Sequence, residues 1–384
     1  MYHLLLALIY VSFISLGLPD GLLGAAWPSM YGELSVPVSY AGIISIIICV
    51  GTIASSLMSD RLTRKLGSGK VTAISVAFTA VALLGFSLSN QFWMLCLWAI
   101  PYGLGAGSVD AALNNYVALH YSSRHMSWLH CMWGVGASTG PYIIGFVLTV
   151  GANWDLGYLL VAGLQIVLTF ILFISLPLWK SAQTEGCESS GQALPLRQVL
   201  GIPGAREVII TFFCYCALEQ TAALWSGSYL SLYAGLSEEA AASFASLFFL
   251  GITAGRAVSG FVTMKLDDTQ MIRLGFCIIA AGIVILLLPL GTASAMTGLM
   301  LVGLGCAPIY PCIMHSTPGH FGAERSQALM GIQTASAYVG TALIPPLFGL
   351  IANHISISLM GVFLLVLLII MVLTYGRLVK KCPI

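Results

Sequence analysis

Twelve long apolar runs constrain this chain more than any other feature of its sequence. They cover roughly residues 4–31, 39–59, 70–89, 92–119, 126–150, 156–179, 207–234, 240–264, 270–290, 294–317, 326–352 and 356–377. An α-helix needs about 20 such residues to cross a hydrocarbon layer about 30 Å thick. Charged residues make up only 8% of the chain, against about 25% in soluble domains. Because strict period-two alternation is absent, we predict an all-α membrane protein with twelve transmembrane helices rather than a β-barrel.

The positive charges lie on one side of these runs. Every Lys and Arg except Arg256 falls in the loops after the even-numbered runs or at the C-terminus. The charged residues of the opposite loops are all acidic: Glu33, Asp155, Glu238 and Glu239. Loops rich in Lys and Arg stay in the cytoplasm. We therefore predict a multi-pass protein of the plasma (inner) membrane with both termini cytoplasmic.

The two halves of the chain repeat each other. At an offset of 200 residues, "YGLGAG" (102–107) matches "VGLGCA" (302–307), and "VGTIASSLMS" (50–59) matches "LGITAGRAVS" (250–259). A long polar segment separates six runs from six. Parallel six-helix repeats build transporters whose binding site lies near the middle of the membrane. We predict two six-helix bundles, residues 1–179 and 207–384, joined by a cytoplasmic linker, residues 180–206.

Three acids fall well inside apolar runs, away from their ends: Asp20, Asp110 and Glu219. A charge at the centre of a bilayer costs about 2.5–3.5 kcal/mol on insertion scales. Arg256 is the only cation that lies well inside a run rather than near its end, so the three acids cannot all be paired. We assign all three to proton coupling, with Asp20 as the principal site. The alternative for each is an acid that hydrogen-bonds to serines or backbone and only joins helices.

Helix breakers flank the first acid. In "SLGLPDGLLGAAWPSM" (15–30), Asp20 stands between Pro19 and Gly21. These residues are expected to interrupt the helix and leave backbone groups free around a cavity. Pro28 in the same run, and Pro141 in the fifth, are predicted to weaken their helices and let them bend around the same cavity.

Amide and aromatic side chains accompany the acids on runs 1, 4, 5, 7, 10 and 11. Carboxylates and amides can bind sugar hydroxyls, while an aromatic face can stack on a sugar ring. Each aromatic residue could instead be an anchor at the membrane interface. We predict substrate contacts from Asp110, Asn114, His130, Trp133, Gln220, Trp225, Tyr310 and Gln333.

The segment "SSLMSDRLTRKLG" (55–67) overlaps the end of the second run and extends beyond it. It contains Asp60, Arg61, Arg64 and Lys65 and resembles the signature cytoplasmic loop of the major facilitator superfamily. An acid at a helix end can pair with nearby cations, so we predict that these residues hold a cytoplasmic gate closed. The simpler alternative is that they only fix the topology.

Four helices resemble the fucose–galactose–glucose:proton symporter family of that superfamily. The resemblance lies in "LGLPDGLLGAAWPSM", "GLGAGSVDAALNNYV", "MSWLHCMWGVGASTGP" and "YCALEQTAALWSGSYL". It implies the major facilitator fold and proton-coupled import of a hexose or deoxyhexose by alternating access. It also implies that Asp110 lies at the substrate and that Asp20 serves proton coupling. It does not identify the sugar.

Other functions fit the sequence less well. The main alternative is a proton-coupled efflux antiporter for an apolar or cationic molecule, since such a protein also uses buried acids. The scattered cysteines and histidines have no metal-binding spacing, so we expect no bound metal. We also expect no cofactor and no enzymatic activity. We expect a monomer in the lipid bilayer that binds a sugar and a proton, with sodium left open as the coupling ion. The net charge of +1 gives no indication of nucleic-acid binding.

Overall fold

The structure, a computed structural model, describes residues 2–183, 194–236, 238–288 and 291–384. Within these ranges the regular secondary structure is helical. The first half of the chain forms α1 (Tyr2–Gly17), α2 (Leu22–Glu33), α3 (Ala41–Leu66), α4 (Ser68–Ser87), α5 (Phe92–His120), α6 (Ser123–Thr149), α7 (Trp154–Ile174) and α8 (Leu176–Gln183). The second half forms α9 (Leu196–Val199), α10 (Ala205–Leu232), α11 (Glu238–Val262), α12 (Asp268–Leu287), α13 (Thr292–Cys306), α14 (Ile309–Phe321), α15 (Ala323–His354) and α16 (Met360–Lys381).

These helices match the predicted runs. Eleven helical stretches in the described part of the chain are long and apolar enough to cross a membrane. Helix α11 is a further long helix and occupies the place of the eighth run. The predicted all-α membrane fold is confirmed.

Proline does not have the same effect in every run. The first run breaks between Gly17 and Leu22, as predicted, but α2 continues through Pro28 and α6 through Pro141. No break forms at these two prolines, because a transmembrane helix tolerates proline where its surroundings satisfy the freed backbone groups. The tenth run contains a break that the sequence analysis missed, between α13 and α14 at Pro308.

The end of α3 also differs from the prediction. The sequence predicts a loop after residue 59, but α3 continues to Leu66. Arg and Lys favour helix and can extend their charged ends towards water, so the apolar run ends before the helix does. The turn consists of Gly67, whose φ of 81° lies in the region that favours glycine. Helix α4 begins directly after it, at Ser68.

The chain forms two compact units. Unit 1 contains Met1–Tyr116, Leu129–Leu194 and Ala323–Ala335, and unit 2 contains Val117–Trp128, Pro195–Gly322 and Ser336–Ile384. The first turns of α15 thus belong to unit 1, and the α5–α6 turn belongs to unit 2.

Each unit is held together by close helix packing. A core in unit 1 includes Leu22, Met30, Phe86, Tyr102, Ile144, Trp154 and Tyr158. In unit 2, α12 and α13 approach each other through glycine. A Cβ atom added at Gly282 would lie 2.8 Å from the carbonyl oxygen of Gly298. Small residues at such crossings let helix backbones come close together in membranes.

Candidate functional site

In unit 1, the break between α1 and α2 contains an acidic residue. This residue is Asp20, and it is exposed. Trp133 on α6 donates its indole N–H to Asp20 Oδ2 over 2.9 Å, and the Tyr102 hydroxyl on α5 donates to Oδ1 over 3.4 Å. Within the described part of the chain, Asp20 forms no ion pair. Two neutral donors therefore hold this acid.

The backbone of the break follows from Pro19. The N–H of Asp20 donates to the carbonyl of Gly17, three residues earlier, over 3.1 Å. Proline has no N–H, so Pro19 cannot donate to the carbonyl of Ser15 as an ordinary helical residue would. The helical pattern stops for about one turn and resumes in α2 at Leu22.

Glycines bring α1 and α6 together around Asp20. A Cβ atom at Gly17 would lie 2.2 Å from the carbonyl oxygen of Trp133, and one at Gly136 would lie 2.0 Å from that of Ile14. Gly21 has an ordinary φ of −94°. Its Cβ would lie 2.5 Å from a proline ring of α6, so Gly21 serves close packing rather than an unusual backbone conformation.

A second polar chain in unit 1 begins at Asp110. Asp110 and Asn114 on α5 are 7% and 0% exposed. The Asn114 amide donates to Asp110 Oδ1 over 2.9 Å, and Asn114 Oδ1 lies 3.0 Å from His130 Nε2 on α6. The Thr334 hydroxyl on α15 donates to Asp110 Oδ2 over 3.4 Å. The structure therefore places three of the predicted substrate residues in one hydrogen-bonded chain.

The third membrane acid has a cationic partner. In unit 2, Glu219 Oε1 on α10 lies 3.5 Å from Arg256 Nη2 on α11. Glu219 also accepts a hydrogen bond from the Tyr215 hydroxyl, one turn earlier. Arg256 is buried and Glu219 is half-buried, so this acid is charge-balanced within its own unit.

Trp225 has partners inside unit 2. Its indole N–H donates to the carbonyl of Pro345 on α15 over 3.0 Å. Its ring packs edge-on against Phe348, with ring centroids 5.8 Å apart, and a Cβ added at Gly349 would lie 2.6 Å from it. Trp225 therefore joins α10 to α15, whether or not it also contacts substrate.

The remaining predicted substrate residues are dispersed. Gln220 is exposed on α10, and Gln333 is buried in the part of α15 that belongs to unit 1. Tyr310, half-buried on α14, packs its ring 4.6 Å from that of Phe212 on α10.

The predicted gate residues lie in the last turns of α3. Arg64 Nε forms an ion pair with Asp60 Oδ1 over 2.8 Å, and Arg64 Nη2 donates to the carbonyl of Glu324 on α15 over 2.7 Å. Arg61 and Lys65 are exposed. The Asp60–Arg64 pair therefore fastens the first turn of α15 within unit 1.

Three polar residues around the acids were missed by the sequence analysis. They are Tyr102 and Thr334, which bind Asp20 and Asp110, and Gln165 on α7, which binds the end of α1. Only Gln165 gave a signal, because it is an isolated amide in a strongly apolar run. Among the described residues, no group of three His, Cys, Asp or Glu side chains is placed to hold a metal ion.

Comparison with known proteins identifies the family. The sequence profile of the Major Facilitator Superfamily matches residues 9–327 and 208–381. Over 371 residues the chain is 22% identical to the glucose/mannose transporter GlcP of Bacillus subtilis, a match covering 92% of this chain and 90% of that protein.

Two solved structures share the fold. The Escherichia coli fucose:proton symporter FucP superposes with a TM-score of 0.75 at 15% identity, covering 98% of this chain and 99% of that one. The proton:xylose symporter XylE, bound to 6-bromo-6-deoxy-D-glucose, superposes with a TM-score of 0.80 at 11% identity, covering 98% and 95%. The prediction of a transporter with the major facilitator fold is confirmed.

Proposed function

Because the chain belongs to the Major Facilitator Superfamily, we propose that this transporter couples the import of a hexose or deoxyhexose to protons by alternating access. Relatives named for glucose and mannose, fucose and xylose support a sugar as the substrate. The observation that carries the proposal is Asp20, an exposed acid at a helix break, held by two neutral donors.

Asp20 is the proposed principal proton site. A hydrogen bond to a charged carboxylate is roughly twice as strong as one between neutral groups. Protonation of Asp20 therefore weakens its bonds from Trp133 and Tyr102, which tie the break to α6 and α5. Binding and release of one proton then change how firmly three helices hold together. Glu219 is a weaker candidate, because Arg256 already balances its charge.

Asp110, Asn114 and His130 are the proposed centre of the sugar site. Asp110 Oδ2 accepts from the Thr334 hydroxyl over 3.4 Å, which is long for such a bond. A sugar hydroxyl can take the place of Thr334, and the Asn114–His130 pair can bind a neighbouring hydroxyl. Sugar binding then exchanges a contact to α15 for a contact to substrate.

The Asp60–Arg64 pair is the proposed gate on the cytoplasmic side, with both termini cytoplasmic. The hydrogen bond from Arg64 to the carbonyl of Glu324 must break whenever the first turn of α15 moves away from α3. The remaining predicted contacts, Trp133, Gln220, Trp225, Tyr310 and Gln333, stay candidates for the sugar site.

Transport by the purified protein in proteoliposomes tests the proposal. Glucose, mannose, fucose and xylose are supplied with an inward proton gradient, with an inward sodium gradient or with neither. We expect the proton gradient alone to drive accumulation of one or more sugars. Asp20→Asn should abolish accumulation but leave exchange between equal sugar pools intact.

Asp155→Asn is the matched control, since this acid lies in the first turn of α7 and its carboxylate accepts from the N–H of Leu156. It should leave accumulation unchanged. Normal accumulation by Asp20→Asn would refute the assignment of the proton site. Proton-driven export of an organic cation such as ethidium, without sugar uptake, would instead favour the efflux antiporter.

A further inference from the structure

A buried amide lies on α7 beside the broken helix. Gln165 is 1% exposed and stands in a helix composed mainly of apolar residues. Burying an amide is costly unless its polar atoms find partners. Because an apolar residue at this position would avoid that cost, the partners of Gln165 indicate what the amide does.

Both polar atoms of the Gln165 side-chain amide bind Ser15, near the end of α1. Its Nε2 donates to the carbonyl of Ser15 over 2.6 Å, and its Oε1 accepts from the Ser15 hydroxyl over 2.9 Å. The Thr79 hydroxyl of α4 lies 3.3 Å from the same oxygen, but it has a shorter bond, 2.9 Å, to the carbonyl of Val76. The Ser15 hydroxyl donates to the amide oxygen and the Ser15 carbonyl accepts from the amide nitrogen, so these two groups fix the orientation of the amide.

The carbonyl that Gln165 binds is the one that proline leaves without a donor. In a continuous helix the carbonyl of Ser15 would accept from the N–H of residue 19, but residue 19 is proline. Ser15 is 5% exposed, so little water is available to replace that donor. The side chain of Gln165 supplies the missing N–H from another helix.

We propose that Gln165 is a positioning residue that holds the broken helix in the geometry that places Asp20 between its two donors. The proposal rests on the assignment of Asp20 as the proton site. Side-chain packing is incomplete beside the break, where a small cavity is lined by Ser15, Pro19, Tyr102 and Gln165 among others. Pro19 ends the regular helix, and the hydrogen bonds of Gln165 hold that end in place, which sets the direction in which Asp20 leaves it.

A double-mutant cycle tests this inference, because Pro19→Ala can return a backbone N–H to the Ser15 carbonyl. With Pro19 present, Gln165→Leu should reduce proton-driven accumulation about tenfold, the effect expected when a buried acceptor loses its partner. It should also move the midpoint of the pH dependence of accumulation, while exchange between equal sugar pools stays within about twofold. In the Pro19→Ala background, adding Gln165→Leu should change accumulation by less than about twofold.

Thr169→Val is the matched control on α7, since this hydroxyl donates to the carbonyl of Gln165 and does not bind α1. It should leave accumulation and its pH profile unchanged. If Gln165→Leu does not fold, the yield of folded protein is compared across the same cycle, and recovery in the Pro19→Ala background supports the proposal.

Two results would overturn the inference: an equal loss in both backgrounds, or an unchanged pH profile in Gln165→Leu. Asp20→Asn separates this failure from failure of the proposed function. If Asp20→Asn abolishes accumulation while Gln165→Leu does not affect it, Asp20 remains the proton site and only the role of Gln165 is lost.

Discussion

The Glu219–Arg256 pair should respond unequally to removal of its two partners. Glu219→Gln leaves a guanidinium whose side chain is 4% exposed without its carboxylate. Arg256→Met leaves a carboxylate whose side chain is 20% exposed, so water can solvate it. Loss of the acid should therefore destabilise the protein more than loss of the base.

The separation of the charges sets the magnitude. At 3.5 Å and an effective dielectric constant of about 20, two unit charges attract each other by about 5 kcal/mol. Breaking a buried pair by removing one partner typically costs about 3–5 kcal/mol. We expect this range for Glu219→Gln. For Arg256→Met we expect about 1–2 kcal/mol, since Glu219 keeps its bond with Tyr215 and is partly exposed to water.

The double variant completes the cycle. Glu219→Gln/Arg256→Met leaves no unpaired charge, so it should be more stable than Glu219→Gln alone by about 2 kcal/mol or more. Denaturant unfolding in detergent micelles, followed by circular dichroism, measures all four free energies. Equal costs for the two single variants, or costs that simply add in the double variant, would refute the charge-balance argument.

Three further predictions concern the sites in unit 1 and the tryptophan of α10. Asp110→Asn should weaken sugar binding about tenfold in equilibrium binding of labelled sugar, because a charged acceptor is lost; unchanged affinity would mean that Asp110 only joins helices. Gly136→Ala should lower the unfolding free energy by about 1–3 kcal/mol, because its Cβ meets backbone, whereas Gly24→Ala, with open space around it, should not; equal melting curves would contradict this. Trp225→Phe should lower the unfolding free energy by about 1 kcal/mol through loss of one hydrogen bond and leave sugar affinity unchanged, since an aromatic face remains; a large loss of affinity would show that the indole N–H binds substrate.

The sequence determined the class of protein and the places of its helices. Apolar runs and charge placement are local properties of the chain, and the bilayer converts each long apolar run into a helix because an unpaired backbone group in hydrocarbon is costly. The break at Asp20 could also be predicted, since Pro19 removes a backbone donor wherever it stands. Whether a proline also ends its helix depends on the packing around it, since α2 and α6 continue through Pro28 and Pro141.

The partners of the membrane acids depend on the tertiary structure. Asp20 binds residues 113 and 82 positions away, and Asp110 binds one 224 positions away. Spacing along one helix predicts which residues share a face, as for Asp110 and Asn114, but not which helix meets that face. Glu219 is an example. Its neighbours in the sequence do not predict a cationic partner, and only the packing of α11 against α10 shows that Arg256 pairs with it.

Gln165 illustrates the difference between what the sequence shows and what only the tertiary structure shows. The sequence shows that Pro19 frees a carbonyl and that α7 carries an isolated amide. Only the packing of α7 against α1 shows that the amide binds that carbonyl. A hydrogen bond requires its two heavy atoms to lie within about 3.5 Å of each other. That distance is set by helix packing, which the sequence neighbours of neither residue specify.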